Sequence, residues 1–244
     1  MNGSKVALVT GGSRGIGAAI VRRLAGDGMR VAFTYASNRD RAEQVVSEVA
    51  ARGGRALCLQ ADAADSATVA GAIERSVEAW GRLDVVVVNA GVARAGAIDA
   101  LAPEEIDRMI DVNVRGTVHT IRAALPHLRD GGRIVTIGSV NAERTPFAGA
   151  ATYAMTKAAV AGLVRGLARD LGPRGITVNN VQPGPTANDS MNADSPAAQA
   201  MTRWLALPRI GAPEEIAALV AHLAGPEAAF ITGASLTIDG GFTA

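Results

Sequence analysis

The chain has 244 residues, a formal net charge of +1 and 48% hydrophobic residues. That length suits one packed α/β domain over residues 1–244, and no Pro/Ser/Gly-rich linker divides it. Acids and bases are interspersed, which gives neither a basic footprint for nucleic acid nor a polybasic segment for a membrane surface.

The N-terminus passes from Met1-Asn2-Gly3-Ser4 straight into "KVALVTGG", with no room for a signal peptide, and no later run approaches ~18 uninterrupted apolar residues. The single cysteine, Cys58, lies in the apolar run "ALCLQA" and reads as a reduced core thiol. A cytoplasmic location is expected.

In chain order, strands are predicted at 5–10, 30–35, 55–60, 83–89, 133–139, 176–182 and 235–239, with six helices in the Ala-rich segments between them. The strands are apolar throughout instead of alternating, the pattern of parallel strands covered on both faces. The fold class is therefore α/β: a doubly wound Rossmann fold with a seven-stranded parallel sheet and helices on both faces. Such folds take their ligands at the carboxyl ends of the strands.

The first strand runs into Thr10-Gly-Gly-Ser-Arg-Gly-Ile-Gly17, which opens an amphipathic helix. Glycines at 11, 15 and 17 permit a tight turn, close approach to a pyrophosphate and close packing of helix on sheet. The turn residues Gly11, Ser13, Arg14, Gly15, Ile16 and Gly17 are the expected dinucleotide site. The spacing is G-x-x-x-G-x-G.

The second strand is expected to end near Tyr35, where an acid would chelate an adenosine ribose and mark NAD. Tyr35, Ala36, Ser37, Asn38 and Arg39 stand there instead, with Asp40 arriving late. The guanidiniums of Arg14 and Arg39, with serine and asparagine donors, suit a 2′-phosphate, so NADPH/NADP+ is the expected cofactor. The alternative for Arg39 is a solvated residue at a helix start.

The chain has two tyrosines and only two lysines against twenty-two arginines, and Tyr153 and Lys157 fall four apart in "YAMTK". On the predicted helix 151–172 they share one face. A positive charge ~4 Å from a phenol, at an effective dielectric of ~20, stabilises the phenolate by about 4 kcal/mol, enough to bring the tyrosine toward neutrality. The alternative is a surface tyrosine beside a solvated lysine. Ser139 closes the fifth strand in "TIGSV", where its hydroxyl would hold a substrate oxygen against the phenol.

The segment 183–199 shows neither periodicity and reads as a functional loop or lid, with Met191, Met201, Trp204 and Leu205 either an apolar cover or plain packing. His119, His127 and His222 are too scattered for a metal site, and Arg22-Arg23 reads as the solvated side of the first helix.

These residues together resemble the short-chain dehydrogenase/reductase family along the whole chain: "TGGSRGIG", Asp62, "NAG" at 89–91, Asn113 in "VNVRG", Ser139, "YAMTK", "PG" at 183–184 and the closing "ITGASLTIDGG". The resemblance implies Tyr153 as general acid, Lys157 as its pKa modifier and ribose ligand, Ser139 as substrate orienter and Asn113 as holder of a relay water. It implies Asp62 with Ala63 at the adenine, Asn89, Ala90 and Gly91 beside the adenosine ribose, and Pro183-Gly184 beneath the nicotinamide. It also implies a homotetramer or dimer. Asn188 stands where many relatives carry a threonine that binds the carboxamide, a role open to Asn188 or to Thr186.

Within the family the chain is most similar to the 3-oxoacyl-carrier-protein reductase type and to the branch of cyclic di-GMP-binding biofilm dispersal proteins. Of the two entrance arginines of the carrier-protein reductases, one position holds Arg174 and the other Asp130, with Arg129 adjacent. The expected activity is an NADPH-dependent carbonyl reductase or alcohol dehydrogenase acting on a free ketone or aldehyde. A cyclic di-GMP sensor or a 3-oxoacyl-carrier-protein reductase is the alternative.

Overall fold

The computed structural model describes residues 4–189, 191–192 and 194–244. Seven parallel strands form one sheet in the order β3-β2-β1-β4-β5-β6-β7. They are β1 Val6–Val9, β2 Arg30–Tyr35, β3 Arg55–Gln60, β4 Leu83–Val88, β5 Leu128–Ile137, β6 Thr177–Pro183 and β7 Ser235–Ile238. The helices are α1 Gly15–Gly26, α2 Arg39–Ala51, α3 Ser66–Trp80, α4 Pro103–Ile110, α5 Gly116–Ala124, α6 Ala151–Leu171, α7 Pro196–Thr202 and α8 Pro213–Ala224. The doubly wound parallel architecture is the one expected.

The unbroken apolar strands are explained by a core on each face. In β1, Ala7 and Val9 point into one cluster with Ile20 and Leu24 of α1 and Val220 of α8. Val6 and Leu8 point into the other, with Ile73 of α3, Ile121 of α5 and Val164 of α6. Side chains alternate across a strand, so both sets must be apolar when both faces are covered. Phe33, fully buried in β2, contributes about 3 kcal/mol of the kind lost when a core aromatic is truncated.

Three expectations need correcting. β5 begins at Leu128, not 133: the stretch "RDGG" reads as a turn, but Gly131 takes a φ of 74° and lets the strand continue through an irregular register opposite Leu83 and Val85. Among the described residues there are eight α-helices and not six, because the β4–β5 connection holds two, α4 and α5, that meet at a π-helical turn, Asp111–Arg115, and the β6–β7 connection holds α7 as well as α8. And the segment expected to lack periodicity contains the start of α7, where Ser195 Oγ accepts from Ala198 N at 3.2 Å and Pro196 takes the first turn.

The strand order reverses direction between β1 and β4, so the crossovers depart to opposite faces there and leave a crevice at the carboxyl ends. This crevice positions everything that follows.

Candidate active site

The turn after β1 is stapled to the end of β4. Thr10 Oγ1 accepts from Asn89 N and Ala90 N, both at 3.0 Å, while Asn89 Nδ2 donates to Thr10 O and Gly11 O, both at 2.9 Å. A side chain at residue 17 would have its Cβ 2.1 Å from Gly11 O, so only glycine allows α1 to start this close to the turn. Gly15, at φ 51°, has open space over its Cα. The first turn of α1 has no side-chain cap and no acidic residue, which leaves its amides and the positive dipole end facing a cleft of about 650 Å³.

At the far end of this cleft lie Arg14, Tyr35, Ala36, Ser37 and Asn38, as expected. Arg39 does not line it. Arg39 Nε donates to Glu43 Oε1 at 2.7 Å on the solvent face of α2, with its side chain 75% exposed. Residues two apart on a helix point to nearly opposite sides, so it is Arg41 that turns into the cleft. Sequence reasoning missed Arg41 by stopping at the end of the loop; the helical angle was the signal that would have found it.

Also missed was Asp189, whose carboxylate pairs with Arg41 and stands 3.5 Å from Arg14 Nη1. The Arg41 guanidinium, foremost, together with Arg14, holds this carboxyl below the usual range against the opposing effect of burial. Asp62 and Ala63 line the cleft wall, with both Asp62 oxygens accepting from Arg108 Nη2 at 2.9 Å.

A second cleft of about 430 Å³ continues from the first past Ile16, Asn89, Gly91 and Val92. Ser139, Tyr153 and Lys157 line it together with Pro183 and Gly184. Ser139, extended and two residues past the end of β5, accepts from Asn141 N at 3.1 Å and lies close enough to the Tyr153 phenol to lower its pKa. Lys157, 5% exposed, donates to Ile137 O at 2.8 Å and has Nζ 5.7 Å from the Tyr153 ring centroid.

The electrostatics differ from the expectation. Burial raises the Tyr153 pKa, and the Ser139 hydrogen bond only partly offsets this. Burial lowers Lys157 to about 8. The lysine is held on a backbone carbonyl, and the tyrosine is a neutral acid instead of a near-phenolate.

Asn113 lies behind the wall of the cleft in the π turn, 1% exposed. Its side chain accepts from Val92 N and donates to Val92 O, both at 2.8 Å, and donates to Thr156 Oγ1 at 3.0 Å. Its Oδ1 accepts one of these bonds and has a second lone pair, and its backbone carbonyl accepts from Thr117 Oγ1 at 2.7 Å.

Thr186 and Asn188 border both clefts. Thr186 Oγ1 donates to Gly184 O at 2.9 Å, and Asn188 Oδ1 accepts from Met191 N at 3.0 Å. Met191 and Met201 line the second cleft, joined by Phe147 and Phe242, which sequence reasoning did not single out. Trp204 and Leu205 do not: Trp204 carries the Arg203 guanidinium over its ring at 5.4 Å, and Leu205 packs near Gly240.

Arg174 and Asp130 sit at the amino ends of β5 and β6, the opposite edge of the sheet. Arg174 Nε donates to Asp130 Oδ1 at 2.8 Å and its other nitrogens to Leu125 O and Leu128 O. Among the described residues no cluster of His, Cys, Asp or Glu could hold a metal, and no helix is long and apolar enough to cross a membrane.

Comparison with known proteins adds to this geometry. The family model described as Enoyl-(Acyl carrier protein) reductase matches residues 11–243. A curated relative in Escherichia coli, the cyclic-di-GMP-binding biofilm dispersal mediator protein, is 47% identical over 98% of each chain. A short-chain dehydrogenase/reductase from Serratia marcescens has a solved structure with 55% identity, a TM-score of 0.96 and 98% coverage of each chain. A short chain dehydrogenase from Burkholderia cenocepacia, solved in complex with NADP, is 52% identical with a TM-score of 0.96 and the same coverage.

Proposed function

The chain belongs to the short-chain dehydrogenase/reductase family, and from that premise we propose that it is an NADPH-dependent carbonyl reductase, or in reverse an alcohol dehydrogenase, acting on a free ketone or aldehyde. The observation that carries this reading is continuity. The cleft under the uncapped start of α1 shares its wall at Ile16, Asn89, Gly91 and Val92 with the cleft that brings Ser139, Tyr153 and Lys157 together.

The residues fit a phosphorylated dinucleotide. Open space over Gly15 and free amides in the first turn of α1 suit the pyrophosphate, and Arg14, Ser37, Asn38 and Arg41 offer donors for a 2′-phosphate. Asn89, Ala90 and Gly91 would flank the adenosine ribose, Pro183 and Gly184 the nicotinamide, and Thr186 or Asn188 its carboxamide. When bound, the reduced coenzyme supplies the hydride.

Tyr153 gives the phenol proton to the carbonyl oxygen as it becomes an alkoxide, so hydride and proton together convert the ketone to an alcohol. Ser139 orients that oxygen, its hydroxyl fixed by Asn141 N. Lys157, whose Nζ lies 5.7 Å from the Tyr153 ring centroid, would hold the coenzyme ribose and its charge would stabilise the phenolate left behind. The carbonyl of Asn113 would seat a water that returns the proton.

The ion pair of Arg174 with Asp130 argues against a carrier-protein partner, since a neutralised arginine has little pull on an acidic protein. Val118 of α5 and Met155 of α6, 40% and 51% exposed, are apolar enough to support helix packing in a homotetramer, which light scattering would count.

The test is NADPH consumption over a ketone panel, with NADH in parallel. Turnover with NADPH preferred is the expected result. The name of the Escherichia coli relative motivates a second reading, a cyclic di-GMP sensor, and calorimetry with that dinucleotide separates the two: tight binding with no turnover on any ketone would favour the sensor.

A further inference from the structure

Three elements distant in sequence bring two guanidiniums and one carboxylate together in the first cleft. Arg14 comes from the glycine turn, Arg41 from the first turn of α2, and Asp189 from the stretch after β6. Arg41 is held in place from its backbone, since Arg41 N donates to Asn38 Oδ1 at 3.0 Å. The side chains of Arg14, Arg41 and Asp189 are 67%, 47% and 44% exposed, so water reaches all three and the pairing is weak enough to exchange. A carboxylate shared by two guanidiniums satisfies the same forked donors as a phosphate, with less charge.

Resting on the coenzyme reading above, we infer that the Asp189 carboxylate and the coenzyme's 2′-phosphate compete for the same pair of guanidiniums, Arg14 and Arg41. NADP(H) exchanges one anion for the other. NAD(H), with a hydroxyl at that position, leaves the ion pairs standing. Thr186, Asn188 and Met191, which flank Asp189 in sequence, line the second cleft, so the exchange changes the restraint on the wall beside the reacting carbonyl. Asp189 and Arg41 are therefore residues that set coenzyme preference, acting from a loop and a helix outside the glycine turn.

The experiment is calorimetric titration of the full chain with NADPH, NADH and adenosine 2′-monophosphate. Asp189→Asn is expected to tighten NADPH and adenosine 2′-monophosphate about two- to fivefold, the factor a weak exposed pair is worth, with a clearly smaller effect on NADH. Asp189→Glu keeps the carboxylate and the wild-type preference. Arg41→Gln weakens NADPH about tenfold, as loss of a charge-assisted bond does, and the gain from Asp189→Asn shrinks in its background. Equal tightening of both coenzymes by Asp189→Asn, or a gain undiminished beside Arg41→Gln, overturns the inference while leaving the coenzyme reading intact. A wild-type chain that binds neither NADPH nor NADH overturns the coenzyme reading, and this inference with it.

Discussion

The two ends of the continuous cleft handle charge in opposite ways. At the Arg41 end, guanidiniums and carboxylates lie in water and neutralise one another: Asp189 with Arg14 and Arg41, Asp62 with Arg108. At the Tyr153 end, Lys157 is buried with a carbonyl for a partner, and burial alone drags its pKa to about 8. Exposed pairs cost little to form and little to break, which suits a place where one anion is traded for another. A buried amine held by a neutral carbonyl carries a charge that no anion among the described residues neutralises there, which suits the proposed action of that charge on the neighbouring phenol.

The sharpest way to break this comparison is at the phenol. Tyr153→Phe is expected to cut turnover about 10³-fold, within the usual range for a positioned proton donor, while NADPH affinity by calorimetry stays put. Retained turnover would remove the Tyr153 end from the mechanism altogether.

Next in size is the buried amine. A lysine whose folded pKa is lowered from 10.5 to about 8 costs stability below pH 8, because the unfolded chain binds the proton more readily. The cost is about 3 kcal/mol at neutral pH, less what the bond to Ile137 O returns, and it fades as pH rises from 8 to 10.5. Lys157→Met in the coenzyme-free chain should therefore gain stability over the wild type at pH 7 in urea denaturation, and lose that advantage by pH 10.5. A difference that does not move with pH would mean the amine is not carrying a buried charge.

A smaller loss, about 2 kcal/mol, is expected for Gly17→Ala, whose Cβ would collide with Gly11 O and Asn89 Nδ2. Urea denaturation reads the loss, and NADPH affinity falls with it because the turn is stapled through Asn89. Smallest of all is Arg39→Ala, which should shift NADPH affinity by less than twofold. A tenfold loss there would return the phosphate role to the residue that points at Glu43.

Much of this was legible in the chain. The seven apolar runs announced a parallel sheet because only burial on both faces makes uninterrupted aliphatic strands favourable. The glycines announced the turn, and Tyr153 and Lys157 had to share a helix face because the helical repeat is fixed. Those are local consequences of backbone geometry and side-chain chemistry. Their extent misled at "RDGG" inside β5 and at the residues from Pro196 on, where one positive-φ glycine and one serine cap overrode composition.

What the sequence by itself determined was the fold, the glycine turn, and the set of groups at the carboxyl ends of the strands. Only the tertiary structure decided which arginine faces the cleft, which carboxylate meets it from 148 residues away, and which way the tyrosine and lysine shift. The physical reason is range. Strand, turn and helix follow from neighbours a few residues apart, whereas desolvation and the pairing of charges depend on whatever the folded chain brings close, and no spacing in the sequence encodes that.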